Sequence, residues 1–179
     1  MQTWCERNNI INEAQAGFRP GYSTVDHIFV LQAIVTKFSG KRKGRFYCIF
    51  IDFSKAFDTL KHTVLLDSLY KAGVSEKFIK IISSMYNSLS ASVRTAQGLS
   101  KSFPCTIGTR QGCTLSPQIF IIFINYLYTL MEEFGGQGIF ISPDVNNLFA
   151  LMFADDVSAV AGSCNQLQQK INALELYIL

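Results

Sequence analysis

The stretch LMFADDVSAVAG, residues 151–162, sets two carboxylates side by side, Asp155 and Asp156, between two apolar runs. On a regular strand neighbouring side chains point to opposite faces, so an unbroken strand through this stretch would drive one aspartate into the core. An unpaired buried carboxylate is costly enough that the fold has to avoid it. A hairpin with the pair at its tip does so, because alternation is suspended in the connection and both carboxylates sit at one end of the sheet. The halves LFALMFA and VSAVA are then its two strands. A second apolar run, RFYCIFIDF at 45–53, is interrupted only by Asp52. It is apolar on both faces, the pattern of a central strand covered on each side. If these strands are neighbours, Asp52, Asp155 and Asp156 converge at one sheet edge.

Three like charges a few ångströms apart cannot all stay ionised unaided, and divalent cations remove the conflict. Oxygen-only ligands favour Mg²⁺, or Mn²⁺, over zinc, and Mg²⁺ takes its remaining ligands from water and substrate phosphates. Two such ions roughly 3.5–4 Å apart can hold both the attacking and the departing oxygen of a displacement at phosphorus. The chemistry suggested is phosphoryl or nucleotidyl transfer. Aspartate is also a common turn residue, so each position taken alone is equally compatible with a structural role.

The remaining pattern sets the frame for that edge. Apolar residues at Val25, Ile28, Phe29, Leu31, Ile34 and Val35 have helical spacing, with Ser23 or Thr24 as N-cap. Two further helices are expected over 62–72 and 75–89, separated by Gly73 as a C′ residue. Residues 90–108 alternate well enough for two short strands around Gly98, with Pro104 arguing for an edge position. Ser116 and Pro117 are expected as N-cap and N1 of an apolar helix, and 165–179 forms a last helix. Strands and helices in this order make an α+β chain of 179 residues, read as a single compact unit.

With 49% apolar and 16% charged residues, disorder is excluded. The net charge of +3 hides an asymmetry: residues 1–45 carry seven basic against three acidic groups, and 132–179 one basic against six acidic. A polyanion would meet the first end and cations the second. The run GKRKGR at 40–45 reads as a solvated linker. Five cysteines (Cys5, Cys48, Cys105, Cys113, Cys164) without a CxxC pair suggest neither zinc nor disulfides, and a reducing compartment. The longest apolar stretch, 119–131, falls short of the roughly 20 residues that span a bilayer. With no secretion signal at the start, an intracellular location, nuclear or cytoplasmic, and no membrane contact are expected. His27 and His62 lack partners at metal-ligand spacing and read as surface or helix-end residues.

FIDFSKAFDTL (50–60), GTRQGCTLSP (108–117) and FADD (153–156), in that order and spacing, resemble motifs A, B and C of the reverse transcriptases of LINE-type (non-LTR) retrotransposons. QAGFRPGYSTVDHI (15–28) resembles the segment those enzymes carry before the palm. The resemblance implies a palm-type polymerase core, an antiparallel sheet with packed helices, with part of the fingers. It implies that Asp52 and Asp155 bind two catalytic Mg²⁺ ions, with Asp156 supporting the site as a third ligand. Phe57 is implied as the aromatic gate under the sugar of an incoming deoxynucleotide, Gln111 and Gly112 as neighbours of the templating base and nucleotide, and Arg110 as support for that loop. Arg19 is implied to contact the template backbone. Lys55 and Asp58 match motif A without a catalytic assignment, and Cys113 reads as small packing.

The partners implied are an RNA template, a DNA primer and a dNTP. The resemblance also implies one partial domain: about 1–45 as the end of the fingers and about 46–179 as palm, with further fingers and thumb segments of the parent polymerase lying outside this chain. The isolated chain is expected to have little or no activity, since metal ligands alone do not position three substrates. A non-catalytic remnant that binds nucleic acid or protein remains the alternative from another class; a two-metal nuclease is a weaker third, leaving motif B and Phe57 without a task.

Overall fold

The computed structural model describes residues 1–40, 45–143 and 147–178; the basic run at 41–44, read above as a solvated linker, lies outside them. The chain is α+β and packs as two compact units, Met1–Phe53 with Ile124–Leu179, and Ser54–Phe123. The packing division falls at 53/54 and 123/124. The helix α6 (Ser116–Phe134) runs across the second of these positions.

In the first unit, β1 (Tyr47–Ile51), β6 (Ala150–Phe153) and β7 (Asp156–Ala161) form an antiparallel sheet in the order β1-β7-β6. The expectation that the 45–53 run is a central strand is corrected. β7 takes the centre, and β1 lies at the edge with Phe50 72% exposed. An apolar run identifies a strand, but its place in the sheet depends on partners far away in sequence. Along the outer side of β6, residues 14–16 add a short parallel bridge: Ala16 N–H donates to Met152 O (2.8 Å) and Met152 N–H to Ala14 O (2.8 Å).

The helix α2 (Thr24–Ser39) is capped by Ser23, one of the two residues expected there, with a capping box closed by Asp26. Its Ile34 joins Leu148, Leu151, Val160 and Ile139 in a buried cluster, against which Phe46 and Cys48 of the β1 segment pack. The last helix, α7 (Cys164–Ile178), packs along β7 and β1, and Tyr177 meets Phe53 edge-on with ring centroids 6.2 Å apart. The first helix, α1 (Gln2–Arg7), is short and buries Cys5.

In the second unit, α3 (Ala56–Thr59) is followed by α4 (His62–Lys71) and α5 (Glu76–Asn87), which pack on each other. Between them Gly73 has φ +81, and the N–H groups of Gly73 and Val74 reach the carbonyls of Tyr70 and Leu69. That is the Schellman closure expected of a C′ glycine. Where two strands were expected around Gly98, there are four, in two separate ladders. The pair β3 (Arg94–Thr95) with β4 (Gly98–Leu99) is the tight turn, and β2 (Ser90–Ala91) with β5 (Phe103–Pro104) lies outside it. Pro104 does sit in an edge position, since its ladder has only two strands.

Ser116 is not the N-cap: it is the first residue of α6, and its hydroxyl donates to Arg110 O (2.8 Å). All five cysteines are free. Among the described residues no helix is long and apolar enough to cross a membrane.

Candidate functional site

In the first unit, register carries the carboxylates. Ile51 pairs with Val157, so continuing the ladder by one residue sets Asp52 opposite Asp156. Phe153 pairs with Asp156 across the hairpin, which leaves Ala154 and Asp155 as its two-residue tip. The three aspartates thus belong to one end of one sheet. Asp52 and Asp156 are exposed and Asp155 is half-buried, so none is forced into the core. Among the described residues no three His, Cys, Asp or Glu side chains close into a metal-binding group as they stand. An oxygen-only edge nonetheless suits Mg²⁺, which binds through one or two carboxylates and fills its octahedron with water and phosphate.

The hairpin tip has an unusual backbone. Ala154 takes φ +55, a region that a two-residue turn normally reserves for glycine, asparagine or aspartate. The fully buried Gln15 braces it: its Oε1 accepts from Ala154 N–H (2.9 Å) and Gly17 N–H (2.7 Å), and its Nε2 donates to Ala154 O (3.2 Å). Gly17 is needed for the approach, because a Cβ there would lie 2.2 Å from Ala154 N. Neither Gln15 nor Gly17 was singled out from the sequence. A glutamine in AQAG carries no periodicity, and the turn-rich composition around it masks a long-range contact.

Arg19 is buried within the first unit. Its side chain is 4% exposed, with Nε and Nη2 forked onto Glu6 (3.0 and 2.9 Å) and Nη1 donating to the carbonyls of Asn12 (3.2 Å) and Gln15 (3.1 Å). The guanidinium lies 4.0 Å over the Tyr22 ring, whose hydroxyl donates to Glu13. The hydrogen bonds from Arg19 hold the Glu6 carboxyl below its ordinary range. Five donors in a fixed fork suit a buried junction between chain segments, and no periodicity announces such a junction.

In the second unit, the tail of α3 and the loop before α6 are stitched together. Gly108 N–H donates to Leu60 O (2.8 Å), Thr109 N–H to Phe57 O (2.6 Å), and Gln111 Nε2 to Asp58 Oδ1 (2.9 Å). Gly108 has φ +85, and a Cβ on it would meet Asp58 O at 2.8 Å, so the position requires glycine. His62 Nε2 lies 2.9 Å from Gly108 O, holding the loop's first residue, a contact beyond the surface or helix-end role expected of it. The Phe57 ring stacks on Phe120 with centroids 4.0 Å apart and 24° between planes. Phe57 and residues of 109–117, including Arg110, Gln111 and Gly112, line a cleft of about 430 Å³. Arg110, Gln111 and Gly112 are exposed. Motif B and Phe57 therefore meet at one cleft within this unit.

A solved structure of telomerase from Candida albicans in complex with the TWJ fragment of telomeric RNA matches 97% of this chain and 30% of its own, with a TM-score of 0.70 and 13% identity. The fold is thus α+β and of the palm type. The family profile described as reverse transcriptase (RNA-dependent DNA polymerase) matches residues 1–178, and the chain belongs to that family. Among relatives, the Pol polyprotein of the type-2 retrotransposable element R2DM of Drosophila melanogaster is 30% identical over 86% of this chain and 14% of its own length. The transposon TX1 149 kDa protein of Xenopus laevis is 25% identical over 94% of the chain and 13% of its own. The resemblance to the non-LTR retrotransposon enzymes stands, for a segment about one-seventh of those relatives' length.

Proposed function

We propose that this chain is a core segment of an RNA-directed DNA polymerase of a LINE-like retrotransposon, adding deoxynucleotides to a primer 3′ end. The single observation that carries this is the strand register: Ile51 against Val157, with aspartates following at the same end of the sheet. Two divalent cations, Mg²⁺ or Mn²⁺, supply charge neutralisation at the reacting phosphate when bound. Asp52 and Asp155 are the residues that hold them, and Asp156 supports the set. The primer 3′-hydroxyl gives up its proton to solvent as its oxygen bonds to the α-phosphorus of the dNTP, the bond from that phosphorus to the α,β-bridging oxygen breaks, and pyrophosphate leaves. The carboxylates contribute fixed negative charge on a rigid sheet edge, so little reorganisation accompanies the transfer.

Phe57, held against Phe120, is the ring beneath the nucleotide sugar, where a 2′-hydroxyl would collide. Gln111 and Gly112 adjoin the templating base and nucleotide, and Arg110 supports their loop; the shared cleft favours these roles. The partners are an RNA template paired with a DNA primer. Residues 1–45 are the end of the fingers and 46–179 the palm in this assignment, a functional division distinct from the packing units.

Primer extension on an RNA template with Mg²⁺ tests this. Joined to the fingers and thumb segments of a retrotransposon relative, the chain extends a DNA primer, and Asp52→Asn or Asp155→Asn abolishes extension. The chain alone extends little or not at all, because catalysis needs primer, template and nucleotide held together. RNA binding that persists in the triple aspartate-to-asparagine variant, with no extension by the joined protein, would make it a non-catalytic binding module.

A further inference from the structure

We infer that Gln15 is a positioning residue for Asp155: its buried carboxamide locks Ala154 in a left-handed backbone conformation, and so fixes the direction in which the next residue leaves the hairpin tip. This rests on the proposed role of Asp155 as a metal ligand. The residue itself comes from the other end of the chain, 139 positions away from Ala154.

The carboxamide engages both backbone polar groups of Ala154, which belong to two successive peptide units. Oε1 accepts from the N–H of Ala154 and Nε2 donates to its carbonyl, which closes a ring around the residue whose φ is +55. Only one orientation of the amide satisfies these bonds together with the Gly17 N–H, so the assignment of oxygen and nitrogen follows from the network. A non-glycine residue in the left-handed region is strained and persists only where its surroundings over-determine it. Here they do so in three ways: the carboxamide, the close approach of Gly17, and the bridge of residues 14–16 to Met152.

Gln15 is in turn anchored. Its carbonyl accepts from Arg19 Nη1 (3.1 Å), whose other bonds tie Asn12 and Glu6, and its N–H donates to Asn12 O (3.0 Å). Asn12 N–H is held by Asn125 Oδ1 (2.8 Å) on α6, and Asn125 Nδ2 holds Ile10 O (3.1 Å). The buried arginine expected at a template thus serves as the far end of a brace that runs through Gln15 to the aspartate tip. Outer partners of this kind set the direction of metal ligands and influence affinity without touching the ion.

Two readouts on the whole chain test the inference: amide exchange at Ala154, and Mn²⁺ affinity by titration. Gln15→Met keeps the bulk and removes all three bonds; Gln15→Glu keeps the acceptor oxygen and loses the donor unless its carboxyl is protonated. Expected in Gln15→Met are faster exchange at Ala154, with protection of β7 retained, and Mn²⁺ affinity weaker by roughly 10–100-fold. In Gln15→Glu, the protection factor at Ala154 is expected to recover as pH falls and the introduced carboxyl becomes a donor, which loss of packing alone would not reproduce. Unchanged exchange at Ala154 in Gln15→Met overturns the clamp. Unchanged Mn²⁺ affinity in that variant, where Asp155→Asn abolishes binding, overturns the positioning role and leaves the metal site standing. Mn²⁺ affinity indifferent to Asp155→Asn itself removes the metal site, and the positioning role with it.

Discussion

At the scale of single residues, the contacts that matter most are those that no local pattern announces. Asp52, Asp155 and Asp156 are legible because a carboxylate at the end of an apolar run is a chemical anomaly that needs an explanation. Gln15, Gly17 and Arg19 are ordinary in a turn-rich stretch, and their roles arise from segments brought together by the sheet. Gly17→Ala is expected to destabilise the chain by about 1–3 kcal/mol in urea unfolding, since the added methyl meets backbone that cannot swing aside. Gly40→Ala is the contrast: φ is −73 and the nearest contact 3.5 Å, so the same measurement should show no loss and a gain of up to about 1 kcal/mol. For the Arg19 junction, Glu6 has its folded pKa lowered by the arginine's hydrogen bonds, so the unfolded chain binds the proton more readily. The stability this pair contributes is present above the ordinary glutamate range and lost as pH falls through the depressed folded value. Arg19→Ala should flatten that part of the acid-unfolding profile, measured against the parent chain.

At the scale of elements, periodicity located most helices and the hairpin, and failed where position in a sheet or ladder was at stake. The run at 45–53 reads as a strand, but only pairing with β7 makes it an edge. Residues 90–104 are polar and short-stranded, so turn chemistry at Gly98 reveals β3 and β4, while the outer β2–β5 pair depends on loop closure that no alternation encodes. α7 illustrates the opposite case, a charged residue on an apolar face. Lys170 is 1% exposed, and its Nζ donates to Gly135 O (3.0 Å) and Gln137 O (2.9 Å), securing the glycine-rich segment that follows α6. Burial pushes its pKa down to about 8. The folded chain therefore releases this proton earlier than the unfolded chain does, and the cost of burying the charge is relieved as pH rises from about 8 towards the ordinary lysine range. Compared with Lys170→Met, the parent chain should gain relative stability across that window, in thermal melts taken at successive pH values.

At the scale of the whole molecule, the family was legible because its motifs lie at strand ends and loop glycines, where chemistry dictates residue type. The packing units were not, since the first unit joins residues 1–53 with 124–179 across seventy intervening positions that fold on their own contacts. Each unit holds one half of the proposed chemistry: the carboxylate edge in one, and the Phe57 and motif B cleft in the other. Everything assigned to nucleotidyl transfer depends on the first half binding cations. Anomalous diffraction from crystals grown with Mn²⁺ tests that most directly. Density is expected within coordinating distance of both the Asp52 and Asp155 carboxylates, and lost in Asp155→Asn; Mn²⁺ bound only elsewhere, or indifferent to that substitution, would contradict it.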